Sequence, residues 1–78
     1  MLDLATERPH LAKAEKDVGE GGARVLRQIQ LIQEMHERGE NSGEAERLLT
    51  TFQQTLEAWK EHREQILQAI DRIEQKGQ

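Results

Sequence analysis

The sequence predicts an all-α fold: an antiparallel two-helix hairpin, coiled-coil-like, dimerising into a four-helix bundle. Three observations lead there. An apolar stripe of helical period runs from Ala45 to Ile73. A helix that long needs a partner surface, since its apolar face is unstable in water. A second stripe of the same period runs from Leu11 to Met35. Between them, Gly39 to Ser42 carries the marks of a helix stop followed at once by a helix start.

Composition sets the bounds. Seventy-eight residues make one domain. Hydrophobic residues are 35% and charged residues 33%, and the apolar ones cluster by period, which suits long amphipathic helices. The net charge is −4; residues 1 to 39 hold 6 basic and 7 acidic side chains, residues 40 to 78 hold 5 and 8. With both halves mixed and mildly acidic, no basic stripe offers itself to nucleic acid, nor a basic face to an anionic membrane. Without cysteine there are neither disulfides nor thiolate sites. No apolar run reaches transmembrane length, and Met1 to Pro9 lacks the pattern of a secretory signal. The expectation is a cytoplasmic protein.

Residues 1 to 8 read as a flexible lead. Pro9, with its fixed φ and missing N–H, suits the first turn of a helix, with Thr6 or Arg8 before it as cap. The hairpin domain is therefore expected over residues 9–76, with helix 1 at about 9–38, a link at 39–42, and helix 2 at about 42–75. Leu11, Val18, Val25 and Ile32 form the sevenfold row of helix 1, flanked by Ala14, Gly21, Gly22, Gln28, Ile29, Met35 and His36. The Gly19 to Gly22 run weakens helix propensity by about 1 kcal/mol per glycine. The heptad phase nevertheless passes through unshifted, which favours one continuous helix. Gly39 fits the residue just past the helix end, and Arg38 suits the negative end of the dipole. Asn41 with Glu44 reads as a capping box, with Ser42 as the alternative cap. Gly77 lies just past helix 2.

In helix 2 the row is Ala45, Phe52, Trp59, Ile66 and Ile73, with Leu48, Leu49, Leu56, Ala69 and Ile70 beside it. Folding at the link is expected to set Ile32 near Phe52, Val25 near Trp59, Val18 near Ile66 and Leu11 near Ile73. Gly21 and Gly22 would then face His62 and Arg63. The expected core or interface is Leu11, Val18, Val25, Ile29, Ile32, Met35, Leu48, Leu49, Phe52, Leu56, Trp59, Ile66, Ile70 and Ile73. Gln28, Thr55, His62 and Arg63 are candidates for a polar layer that fixes register. One hairpin has a single interface, and a scaffold this small needs a staple. A homodimer would cover Leu26, Leu31, Leu49 and Ile70, and another protein is the other candidate partner.

Chemistry-bearing patterns are sparse. His36 and His62 should lie far apart in one hairpin, and Glu7-Arg8-Pro9-His10, the one Glu-x-x-His match, straddles a proline. Neither a zinc nor a di-iron arrangement is formed. The carboxylate pairs Glu57/Glu61 and Glu61/Glu64 sit on a solvated face without a pocket to shift them. Ser42, Thr50, Thr51 and Thr55 lack a nucleophile elbow, and the glycine run lacks the Lys-Ser/Thr ending of a phosphate loop. The reading is a non-enzymatic protein with no catalytic, metal or cofactor site.

The segments Leu31-Ile32 with Gly39, Ala45-Glu46-Arg47-Leu48-Leu49, Thr55-Leu56 and His62-Arg63-Glu64-Gln65-Ile66-Leu67 resemble a group of small uncharacterised helical-hairpin proteins common in alphaproteobacteria. The likeness covers roughly residues 10 to 68 and implies a short bacterial hairpin protein without assigned chemistry. The architecture also resembles the Rop-type RNA-binding hairpin dimers, as a fold-level analogy. The functional expectation is a homodimeric protein-interaction or regulatory module. The alternative is a Rop-like nucleic-acid-binding regulator using Lys13, Lys16, Arg24 and Arg27.

Overall fold

The computed structural model describes residues 3–76. Within them the chain forms two helices, α1 (Leu4–Glu37) and α2 (Gly43–Lys76), packed antiparallel. Each has 34 residues. The all-α hairpin is as the two stripes predict.

α1 begins earlier than expected, and the reason is Asp3. Its backbone is extended at φ −142 and ψ 166, and its Oδ1 accepts the Thr6 N–H at 2.8 Å. Its carbonyl accepts from Thr6 and Glu7 at 3.2 and 3.0 Å. That is an N-cap satisfying donors which the first turn leaves without partners. Residues 4–8, read from sequence as a flexible lead, are therefore helix, and Thr6 is a capped donor instead of a cap. Pro9 lies inside α1. It removes only the bond that its N–H would have given Ala5, whose neighbourhood is exposed to water. Met1 and Leu2 lie outside the described residues, as does Gly77.

The helix runs unbroken through Gly19 to Gly22. At its other end Gly39 takes φ +72, the left-handed conformation that glycine adopts without a Cβ clash. The Gly39 N–H donates to the His36 carbonyl at 3.1 Å and the Glu40 N–H to the Met35 carbonyl at 2.8 Å, the paired bonds of a Schellman stop. The link then climbs back alongside α1. Ser42 occupies the cap position of α2, its carbonyl accepting the Glu46 N–H at 2.9 Å, while Asn41 Oδ1 accepts the Gly43 N–H at 2.9 Å. The expected Asn41–Glu44 box is not made. Because α2 starts at Gly43, Asn41 stands one residue too early for it, and Glu44 instead lies 4.0 Å from Arg47.

Register is the main correction to the sequence reading. Gly21 faces Leu56, with a Cβ built there meeting Leu56 Cδ1 at 3.2 Å, and not His62 and Arg63. The helices are thus displaced by about one heptad from the expected pairing. Arg24 stacks on Phe52, so Phe52 is level with Val25 and not with Ile32; Trp59 lies beside Ala14 and Asp17, not Val25. The chain reverses at Gly39 itself, and residues 40–42 already run back against α1, whereas the expected fold placed the bend at the start of helix 2.

The buried residues of α1 are Glu7, Ala14, Gly21, Gln28 and Ile32. Four of them form a heptad row of small or polar residues, so the seam of α1 is narrow where the helices meet. The expected apolar row of Leu11, Val18 and Val25, with Ile29 and Met35, is half-buried to one side or the other. In α2, Ile66 and Ala69 are buried; Leu49, Phe52, Leu56, Trp59, Ile70 and Ile73 are half-buried. Leu48, expected in the core, is 45% exposed. Leu26 and Leu31, which the expected dimer would cover, are exposed, while Leu49 and Ile70 are half-shielded by α1. The molecule measures 61 × 16 × 14 Å. No helix among the described residues is long and apolar enough to cross a membrane.

Candidate functional site

Polar side chains gather at three levels of the hairpin. At the link, His36 Nε2 lies 2.7 Å from Ser42 Oγ, and Ser42 Oγ donates to Glu46 Oε2 at 3.2 Å. Histidine beside serine invites comparison with an activated nucleophile. The geometry serves another purpose. Ser42 Oγ is shared between the His36 ring and the Glu46 carboxylate, so its contacts bridge the end of α1 and the start of α2. The carboxylate also contacts the serine and not the outer nitrogen of the imidazole, as a triad would require. Ser42 is buried. The cluster ties the last turn of α1 to the first turn of α2. Nearby, Arg38 pairs with Glu40, whose hydrogen bond and charge raise the guanidinium pKa further above its ordinary value.

One level up, Gln28 is buried and its Nε2 donates to the Ala45 carbonyl at 2.9 Å. This polar group crosses the interface. The other members of the expected polar layer separate. Thr55 and His62 are exposed; Arg63 is half-buried, and its Nε is enclosed without a hydrogen-bond partner.

Toward the open end, a shallow groove of about 250 Å³ is lined by His10, Lys13, Ala14, Asp17, Trp59 and His62. Lys13 Nζ sits 5.4 Å from the Trp59 ring centroid and 2.9 Å from Asp17. His62 meets Trp59 edge-on, with centroids 6.2 Å apart. Trp59 is thus half-buried beneath a lysine, a surface-edge cation–π arrangement and not the deep core position expected of it. His10 Nδ1 lies 3.9 Å from the buried Glu7 carboxylate. His10 and His62 share the groove, but no group of three or more His, Asp or Glu among the described residues is placed to hold a metal ion.

Sequence reasoning left Glu7 and Ser42 outside the stripes, and it placed Ala14, Gly21 and Ala69 beside them without counting them in the core, where all five are buried. Glu7, Ala14, Gly21 and Gln28 are spaced by sevens, but that spacing does not say which residues of α2 lie opposite.

No family model, curated protein or solved structure matches the chain.

Proposed function

We propose that the protein is a non-enzymatic helical hairpin that works in the cytoplasm as a homodimer, serving as a protein-interaction or regulatory module. The observation that carries this reading is surface area. A compact monomer of 9.0 kDa exposes about 4,900 Å². The hairpin exposes 5923 Å². The excess, about 1,000 Å², matches what one partner contributes to an interface of standard size, roughly 800 Å². Its radius of gyration is 17.7 Å, against about 11.5 Å for a compact chain of this length. A single layer of two helices is the cause, and a second layer is the remedy. The bacterial origin suggested by the sequence resemblance belongs to the same reading.

Basic residues give the nucleic-acid alternative less support. Lys13 is paired with Asp17, Lys16 lies 4.0 Å from Glu20, and Arg24 lies on Phe52. These three would have to leave their partners to meet a phosphate, whereas Arg27, the fourth candidate, is exposed. Sedimentation equilibrium of the full chain tests the proposal: the expected mass is twice 9.0 kDa. A monomer across the micromolar range, or salt-sensitive RNA binding at the same concentrations, would favour a different role.

A further inference from the structure

Resting on the homodimer reading, we infer that the surface joining the two copies is the outer flank of α1 centred on Gly22, crossed antiparallel by the same flank of the second copy. Val18, Gly22, Val25, Leu26 and Ile29 succeed one another in helical steps of three and four, so they share one side of α1. Leu26 is 67% exposed, the highest value among the described large hydrophobic residues. Val18, Gly22, Val25 and Ile29 are half-buried. No charged residue interrupts this flank between Val18 and Gln33.

The opposite edge of the hairpin exposes Leu31 and Leu48, at 41% and 45% and so less than Leu26, and it carries charge beside them. There the aromatic rings of Phe52 and Trp59 carry Arg24 and Lys13 over their faces at 5.6 and 5.4 Å. Burying that edge would mean desolvating or displacing two cations. The α1 flank has no such cover, and the roughly 1,000 Å² of excess surface calls for a contact of about the size that one copy brings to a dimer.

Glycine placement centres the crossing. Gly21 is explained within the hairpin, because Leu56 sits against it. A Cβ at Gly19 or Gly22 would meet nothing within 4 Å, so the hairpin itself has no use for glycine at either position, although glycine is a poor helix former. Gly22 lies one turn before Leu26 on this flank, and Gly19 one turn before Gly22. Val18 and Leu26 stand four residues either side of Gly22, and Gly19 and Val25 three residues either side. A two-fold axis at Gly22 therefore lays Val18 against Leu26 of the second copy and drops Val25 into the notch above its Gly19. Such self-complementarity is what an isologous contact requires.

Since the chain has no cysteine, Gly22→Cys gives a single-site probe in the full-length protein. Under mild oxidation it is expected to form a disulfide-linked dimer rapidly, while Glu57→Cys on exposed α2 surface stays monomeric on a non-reducing gel. Leu26→Glu is expected to weaken association at least tenfold with helicity retained, and Leu48→Glu to leave it within twofold. A wild-type mass of 9.0 kDa would overturn both the flank and the homodimer. A wild-type dimer in which Gly22→Cys links no faster than Glu57→Cys, or which Leu26→Glu leaves intact, would overturn the flank alone.

Discussion

At Gly21 a missing side chain sets the separation of the helices. An added Cβ would lie 3.2 Å from Leu56 Cδ1 and 3.8 Å from Leu56 Cα. The first contact is the mobile end of a leucine, and the second leaves room for a methyl group but nothing larger. Gly21→Ala should therefore be close to neutral, the gain in helix propensity of about 1 kcal/mol offsetting the small shift of Leu56. Gly21→Leu should lose about 1 to 3 kcal/mol in denaturant unfolding through overpacking; an unchanged midpoint would mean that the seam is not closed there. Gln28 is the polar counterpart in the same row. Gln28→Met keeps the volume and removes the bond to the Ala45 carbonyl, and the expected loss is about 1 kcal/mol. A gain in stability would show that the amide serves register alone.

The helices are bounded by local backbone chemistry, and each boundary can be broken separately. Gly39 holds φ +72, where a residue with a Cβ is strained by about 1 to 2 kcal/mol. Gly39→Ala should lower the unfolding free energy by that amount, and a neutral result would require the link to find another path. Pro9 sits about a turn and a half inside α1 and denies Ala5 its hydrogen bond. Only the residues before it depend on that bond, so Pro9→Ala should stabilise by about 1 kcal/mol, less than the roughly 3 kcal/mol of a mid-helix proline. The gain should appear as slower amide exchange at Glu7 and Arg8; if those amides exchange as before, the Asp3 cap already holds the turn at full strength.

For the molecule as a whole, shape decides what the chain needs. Among the described residues four apolar ones, Ala14, Ile32, Ile66 and Ala69, are buried, too few for a lone hairpin to stand far above its unfolding threshold. The melting temperature should accordingly rise with protein concentration, by several degrees over a hundredfold range, because association stabilises the folded state by mass action. A melting temperature independent of concentration would show that one hairpin suffices.

Sequence alone determined the two helices, the continuity of α1 across its glycines, and the glycine stop at Gly39. Each is written in local terms: a period, a left-handed residue, a cap. It also showed Gln28 as a polar residue within an apolar stripe. Tertiary structure decided the register, and with it the site. Pairings one heptad apart match apolar rows equally well, since both stripes repeat every seven residues. What separates them is where the chain turns and which residues fit where the backbones meet. The tie of His36 to Ser42 and the Gln28 bond to the Ala45 carbonyl fix the first, and Gly21 against Leu56 fixes the second. Neither is periodic, so neither could be read from the stripes. The expected meeting of Gly21 and Gly22 with His62 and Arg63 gives way to a close seam at Gly21, leaving Gly22 facing outward.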